Sequence, residues 1–151
     1  MRRLALALAL LACEPDRAFE WPLIQALPVP LTPDDNPMSD ARVELGRHLF
    51  HDTRLSGNQT QSCATCHLQE FAFTDGLPVS EGSTGESTPR NSMSLANVAY
   101  ATTLTWANPV LLTLEQQMLV PLFGAEPVEL GLRGMEDQLI ARLREVPQYQ
   151  Q

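Results

Sequence analysis

The feature that most constrains this chain is Cys63-Ala64-Thr65-Cys66-His67, near the middle of its 151 residues. Two thiols one helical turn apart, with an imidazole beside the second, match the attachment sequence of a c-type haem. In such sites the thiols bond to the haem and the histidine ligates the iron. A chain of this length can bury a haem in a single core. The sequence therefore predicts one covalent haem c on Cys63 and Cys66, with His67 as the iron ligand.

The two thiols have three other interpretations: a structural disulfide, a thioredoxin-like redox pair and half of a zinc site. A zinc site usually needs a second pair of ligands, and only Cys13, His48 and His51 remain, at spacings unlike those of zinc sites. A thioredoxin motif lies in a βαβ pattern, which the flanking sequence does not have. These considerations favour haem.

The N-terminus has the pattern of an export signal. Met1-Arg2-Arg3 is basic, and the apolar run that follows, residues 4–12, is too short to cross a bilayer as a mature helix. Residues 1–12 are therefore predicted to be a signal peptide. Leu10-Leu11-Ala12-Cys13 resembles a bacterial lipobox, with Cys13 as the lipidated first mature residue; an ordinary signal peptide cleaved nearby is the alternative. We expect export to the periplasm or cell envelope, with membrane contact only through a lipid anchor.

The charge balance limits the partners. Eighteen acidic residues against ten basic ones give a net charge of −8, and no basic stripe is present. Nucleic acid is therefore not expected as a partner.

Residues 13–38 are rich in proline, which predicts an extended tether, and residues 39–151 are predicted to form the haem domain.

The periodicity of the haem domain predicts helices joined by long loops, and no stretch alternates as a strand does. The loop over residues 76–92 is long enough to be functional. The expected fold is all-α: a cytochrome c-like helical domain wrapped on one covalently attached haem. Two helices are predicted before residue 70, from Ser39 or Asp40 to about Phe50 and from Ser62 to about Gln69. A short helix over Leu95–Tyr100 follows a Ser94 cap, and a capping box at Thr113–Gln116 opens a helix to about Phe123 that Pro121 should kink or end early. The last predicted helix runs from about Met135 to Val146.

Between Glu44 and Leu132 the sequence resembles the bacterial di-haem cytochrome c peroxidase and MauG superfamily. The branch of the superfamily that it looks most like is MbnH, in which the enzyme oxidises a tryptophan of a methanobactin-linked partner protein. The resemblance implies an enzyme that reacts with hydrogen peroxide and passes oxidising equivalents to a second haem or to a partner-protein tryptophan. A small redox protein, a cytochrome c or a cupredoxin, is the other implied partner. The matching segments are 45–50, 52–57, 63–67, 72–76, 90–91 and 94–100, and those typical of the branch are 104–109, 120–123 and 126–132.

The resemblance also implies roles for five residues. Glu129 and Gln117 match a polar pair on the peroxide side of the haem, where the carboxylate assists proton movement. Pro121 matches a proline of the same pocket, Trp106 the tryptophan that couples the two haems, and Asn91 a calcium ligand. From the residues alone, plainer roles are available. Glu129 can be a solvated carboxylate, Gln117 an exposed helix position, Trp106 core packing and Asn91 a turn residue.

Two departures from the family pattern matter. No histidine follows His67, so the sixth position of the iron is expected to be open to peroxide. Met93 or Met118 could fill it instead, which would make the protein a mono-haem electron carrier without catalysis. The chain also has no second Cys-x-x-Cys-His, which family members carry in a C-terminal haem domain. We interpret it as the N-terminal, peroxide-reactive haem domain of a longer protein, with a single-haem descendant as the alternative.

Overall fold

The computed structural model describes residues 17–22, 27–106 and 108–150. The predicted signal peptide and Cys13 lie outside these residues. The described chain has four α-helices, α1 (Asp40–Phe50), α2 (Cys63–Cys66), α3 (Leu114–Phe123) and α4 (Glu136–Arg144), and single 3₁₀ turns at Thr53–Leu55, Gln69–Phe71, Val98–Tyr100 and Pro147–Tyr149. Its β structure is limited to three isolated bridges. The expected helical, sheet-free class is confirmed.

Two helices begin where the sequence predicted. In α1 the Ser39 side chain accepts the Arg42 N–H at 3.3 Å. In α3, Thr113 accepts the Gln116 N–H at 3.2 Å while the Gln116 side chain accepts the Thr113 N–H at 3.3 Å, a reciprocal capping box. Since the first N–H groups of a helix have no partner inside it, these side chains fix each start.

The other predicted helices differ in extent. α2 ends at Cys66 because His67 leaves helical geometry, and the segment before Tyr100 keeps only a 3₁₀ turn because Asn97 is left-handed, with φ of 56°. Pro121 lies inside α3 without ending it: the Gly124 N–H still bonds the Val120 carbonyl at 2.8 Å, so the final turn closes.

The final helix, α4, begins where predicted, with Met135 as its N-cap, and ends earlier than predicted, at Arg144. Val146 is buried in extended geometry, with ψ of 111°, which explains why the helix stops before it. Among the described residues, none of the helices combines the length and hydropathy needed to cross a bilayer.

Residues 17–22 and 27–38, the described part of the predicted tether, form no helix and lie along the domain. The Asp40 N–H bonds the Arg17 carbonyl at 3.0 Å, and the Phe19 N–H bonds the Met38 carbonyl at 3.4 Å. The Tyr100 hydroxyl donates to the Pro28 carbonyl at 2.9 Å. This part of the segment is therefore in contact with the helical domain that follows it.

The hydrophobic core is a cluster of leucines between α3, α4 and residues 126–132. The Leu130 N–H bonds the Pro121 carbonyl and the Leu132 N–H bonds the Leu122 carbonyl, each at 2.9 Å, so this segment runs along the last turn of α3. The core thus fixes the backbone on either side of Glu129. Its members are Leu55, Leu122, Leu130, Leu132 and Leu139, with Leu49, Phe123, Met135 and Leu143 around them.

The first prediction concerns Leu132, whose side chain is 0% exposed. Leu132→Ala is expected to lower the free energy of unfolding by about 2–5 kcal/mol, because it removes buried methyl groups and leaves a cavity. Urea denaturation measures the loss. The control is Leu112→Ala, since Leu112 is 76% exposed and should change stability by less than about 0.5 kcal/mol. Equal losses would contradict the assignment of Leu132 to the core.

Hydrogen bonds to Asp52 link the 3₁₀ turn Thr53–Leu55 to the C-terminal 3₁₀ turn Pro147–Tyr149. Asp52 is buried and accepts the Arg54 Nε at 2.8 Å and the Tyr149 hydroxyl at 2.8 Å. Burial alone would raise the pKa of Asp52, but hydrogen bonds from Arg54 and Tyr149 outweigh it, and the pKa is lowered. The ionised carboxylate is therefore the form that stabilises the fold.

Asp52→Asn is expected to cost about 1–3 kcal/mol at neutral pH, because it removes the buried charge that accepts hydrogen bonds from the partly buried Arg54 and Tyr149. The folded-state pKa is depressed, so Asp52 contributes this stability above the unfolded pKa, about 4, and the contribution fades as pH falls through the folded value. Thermal unfolding should show a gap between wild type and variant that narrows below about pH 4. Asp35→Asn, on the exposed surface, is the control. A gap that is constant with pH would contradict the prediction.

Candidate functional site

One cavity, of about 280 Å³, brings together the predicted site residues that the structure describes. It lies between α2, α3, residues 80–95 and residues 127–130. Residues far apart in sequence thus share one volume, as a cofactor site requires. The predicted residues that line it are Cys63, Cys66, His67, Asn91, Trp106, Gln117, Pro121 and Glu129.

The first wall of the cavity is α2. Its single turn begins with the Ser62 N–H donating to Thr65 Oγ1 at 3.0 Å and ends with the His67 N–H on the Cys63 carbonyl at 3.0 Å. Both cysteines are partly buried and both are free thiols. The structure therefore does not support a disulfide between them.

Both thiols are held in the neutral form. Burial raises the pKa of Cys63, and burial together with the negative charges of Asp75 and Glu129 raises the pKa of Cys66 to about 11. Redox-active cysteines have lowered pKa values instead, because the thiolate is the reactive species. This environment disfavours the thioredoxin-like interpretation.

His67 is oriented by a backbone carbonyl. Its Nδ1 lies 2.8 Å from the Phe73 oxygen, and because a carbonyl can only accept, Nδ1 carries the proton and Nε2 is left with a free lone pair. The contact depends on two consecutive left-handed residues, Ala72 with φ of 55° and Phe73 with φ of 62°. They turn the chain back, so that the Phe73 N–H also bonds the Leu68 carbonyl at 2.8 Å. Such strain is typical of functional sites.

The second wall carries Gln117, Pro121 and Glu129. Gln117 and Pro121 are four residues apart on α3 and so lie on one face of the helix. Glu129 is partly buried. Burial raises its pKa. A carboxylate whose pKa is shifted upward is better suited to exchange protons near neutral pH than a solvated one.

Trp106 and Asn91 meet at the cavity. The Trp106 Nε1 donates to the Asn91 carbonyl at 3.1 Å, and the Asn91 side-chain amide donates to the Ser92 carbonyl at 3.2 Å. Trp106 lines the cavity and is 51% exposed, so its indole is not part of the leucine core.

The two methionines that were alternatives for the sixth iron position differ in location, and His48, which the sequence did not favour as a metal ligand, lies elsewhere. Met93 lines the cavity, whereas Met118 is not among the lining residues and is 48% exposed. His48 lies on the exposed side of α1, 3.2 Å from Glu44. Within residues 17–22, 27–106 and 108–150, no group of three or more His, Cys, Asp or Glu side chains could hold a metal ion.

Residues 80–82 and 88–92 also line the cavity, and of these only Asn91 had an individual role predicted from the family resemblance. The signal that could have found them is the length of the loop over residues 76–92, which alone suggested function. Apolar side chains complete the surface: Leu95, Val98, Leu104, Leu114 and Val120.

The donor set fits haem c. Two neutral thiols one helical turn apart and an imidazole with a free Nε2 share a cavity whose other walls are mostly apolar. A helical, sheet-free domain built around such a segment belongs to the cytochrome c-like class. Within that class the chain belongs to the family described as di-haem cytochrome c peroxidase, whose model matches residues 40–151.

Relatives and a solved structure agree with this membership. Cytochrome-c peroxidase IdrP1 of Denitromonas iodatirespirans is 37% identical over 152 residues, covering 97% of this chain and 39% of that protein. MauG of Methylorubrum extorquens is 32% identical over 117 residues, covering 78% of this chain and 32% of that protein. The crystal structure of a MauG-like protein associated with microbial copper homeostasis superposes with a TM-score of 0.84 at 54% identity, covering 88% of this chain and 38% of that one.

The similarity to the MauG-like protein associated with microbial copper homeostasis agrees with the resemblance to the MbnH branch. The chain spans less than two-fifths of the length of each of these relatives.

Proposed function

We propose that this protein is a haem-dependent oxidoreductase of the di-haem cytochrome c peroxidase type. It reacts with hydrogen peroxide and passes oxidising equivalents to a second haem or to a tryptophan of a partner protein. The observation that carries the proposal is the convergence, on one cavity, of the haem attachment residues and a partly buried glutamate whose pKa is raised. Residues 39–151 are the N-terminal haem domain in this proposal.

In the bound state, Cys63 and Cys66 hold haem c covalently and His67 Nε2 holds its iron. Haem supplies the redox chemistry that cleaves the O–O bond of peroxide. The protein contributes the orientation of the ligand, because the Phe73 carbonyl at 2.8 Å keeps the proton on His67 Nδ1. A hydrogen bond of this kind also raises the basicity of a ligating histidine.

In this proposal Glu129, on the second wall, transfers the protons of the reaction. It accepts a proton from one oxygen of hydrogen peroxide and donates it to the other oxygen, which leaves as water. The Gln117 amide orients the peroxide by hydrogen bonding, and Pro121 shapes the wall beside it. Proton transfer by a placed side chain accounts for about 10²–10⁴-fold of rate in enzymes.

Trp106 is the proposed route for oxidising equivalents. Its indole lines the cavity and donates to the Asn91 carbonyl at 3.1 Å, which holds it beside the proposed haem site. The receiving group is a second haem or an oxidisable tryptophan on a partner protein. The electron donor is a small cytochrome c or cupredoxin, and a protein of net charge −8 suits a donor with a basic surface.

A calcium ion at Asn91 stays a proposal drawn from the family resemblance. The ion takes about six to eight oxygen ligands. The Asn91 amide nitrogen bonds the Ser92 carbonyl, so the side-chain oxygen is the atom of Asn91 that would bind the ion. No step of the proposed mechanism uses calcium.

We also propose that the protein is exported to the periplasm or cell envelope, with residues 1–12 as its signal peptide and Cys13 as its lipid anchor. The basic and apolar start of the sequence supports this. A haem attached outside the bacterial cytoplasm is consistent with it.

A second candidate function is a mono-haem electron carrier in which Met93 fills the sixth iron position. The observation that favours it is the position of Met93 in the cavity wall. The absorption spectrum of the ferric haem-loaded protein separates the two functions. High-spin bands and a rapid reaction with peroxide support the peroxidase. A low-spin spectrum with a thioether-to-iron band, lost in Met93→Ala, together with no peroxide reaction, would overturn it.

A further inference from the structure

The turn formed by residues 81–87 contacts the segment that carries Glu129, and the proposed function gives this turn no role. A bridge between Glu81 and Ser87 closes its base. Within the turn, the Gly82 N–H bonds the Glu86 carbonyl at 2.8 Å and the Gly85 N–H bonds the Gly82 carbonyl at 3.0 Å. The turn is therefore internally braced.

Gly82 is the point of closest approach. It is buried, and a Cβ added to it would overlap the Val128 carbonyl oxygen and lie 3.2 Å from the Glu129 Cα. Both are backbone atoms, which cannot rotate away as a side chain can. Any larger residue at position 82 must therefore displace the backbone at Val128 and Glu129.

Hydrogen bonds fix the same backbone. The Ser83 N–H donates to the Glu129 carbonyl at 2.6 Å, and the Val128 N–H donates to the Glu86 carboxylate at 3.2 Å. On the other side of Glu129, the Leu130 N–H bonds the Pro121 carbonyl at 2.9 Å. The Gly57 N–H bonds the Leu130 carbonyl at 2.7 Å. Hydrogen bonds thus hold the backbone on both sides of Glu129, and the turn at residues 81–87 makes those on one side.

We propose that Gly82 and Glu86 are positioning residues for Glu129: through the backbone, they set where its carboxylate enters the cavity. The inference rests on the proposed function, in which Glu129 moves protons. Proton transfer requires heavy atoms within about 2.6–3.2 Å of each other. A displacement of about 1 Å at a reacting group can cost about 10²-fold in rate.

The test uses the haem-loaded, full-length protein and the second-order rate of its reaction with hydrogen peroxide in stopped flow. Gly82→Ala is expected to slow the reaction by about tenfold or more, within the range that such displacements produce. Gly46→Ala is the matched control, because a Cβ there meets nothing within 4 Å, and its rate should equal that of wild type. Haem content, by pyridine haemochrome, should be the same in both.

A second pair of variants decides the outcome if Gly82→Ala fails to fold. Glu86→Ala removes the acceptor of the Val128 N–H, whereas Glu86→Gln keeps an oxygen there. The alanine variant should be slower by several-fold, and the glutamine variant should recover most of the rate. If Glu86→Ala and Glu86→Gln react with peroxide at the same rate, the proposal is overturned. It is also overturned if Gly82→Ala and Glu86→Ala react at the wild-type rate.

Combining substitutions separates this inference from the proposed function. If Gly82 acts through Glu129, Gly82→Ala should add little to the slowing already caused by Glu129→Gln. The same factor in both backgrounds would overturn the positioning role and leave the proton role of Glu129 intact. A wild-type rate for Glu129→Gln alone would overturn the proton role and, with it, the positioning role.

Discussion

Replacing Cys63 and Cys66 together by alanine is expected to abolish covalent haem attachment. The two thiols form one turn of helix at the cavity wall and are the only attachment groups that the haem motif offers. Without thioether bonds the haem would be held only through its iron and by packing, so it should be extracted by acidified organic solvent. Haem staining after denaturing electrophoresis and the mass of the intact protein give the result directly.

Cys13→Ala is the control for this experiment, because it removes the remaining cysteine without altering the haem motif. It should stain like wild type. Single replacement of Cys63 or Cys66 should leave one thioether, with the haemochrome band shifted by the vinyl group that remains. Covalent haem in the double variant would contradict the predicted attachment.

Replacing Glu129 by glutamine is expected to slow the reaction with hydrogen peroxide by about 10²–10⁴-fold, the range for loss of a general acid–base group. Glutamine has nearly the same size but cannot transfer the proton. The substitution should leave the haem content and the free energy of unfolding close to those of wild type, since Glu129 is only partly buried. Stopped-flow mixing of the ferric, full-length protein with peroxide measures the rate.

Glu126→Gln is the matched control for this second experiment: Glu126 is exposed and lies three residues away in the same segment. Its rate should match that of wild type. If the two variants react equally fast, Glu129 has no part in proton transfer.

The sequence predicted those parts of the fold that depend on local chemistry. Ser39 and the Thr113–Gln116 pair cap helices because their side chains reach N–H groups three residues away. The helix predicted over Leu95–Tyr100 was wrong in extent, because Asn97 is left-handed and only the 3₁₀ turn Val98–Tyr100 forms. Of the two outcomes predicted for Pro121, a kink or an early end, the early end was wrong, because the Gly124 N–H still reaches the Val120 carbonyl.

In the candidate site, too, some residues could be predicted from local sequence patterns and others could not. Cys63, Cys66 and His67 could be recognised by spacing alone, whereas Glu129 and Trp106 needed the family resemblance because a single glutamate or tryptophan has no distinctive pattern. The contacts of Gly82 and the carbonyl that orients His67 could not be predicted. Both depend on backbone geometry between segments, including left-handed residues that are not glycine.

The hydrogen bond from His67 to Phe73 has a consequence for the electronic state of the iron. An imidazole whose N–H is engaged by a carbonyl is a stronger electron donor through its other nitrogen. Stronger donation favours the more oxidised states of the metal, so the midpoint potential should be lower than that of a haem whose histidine lacks this partner. Once haem is bound, the left-handed turn at Ala72 and Phe73 would therefore tune the thermodynamic driving force for oxidation, although neither residue lines the cavity.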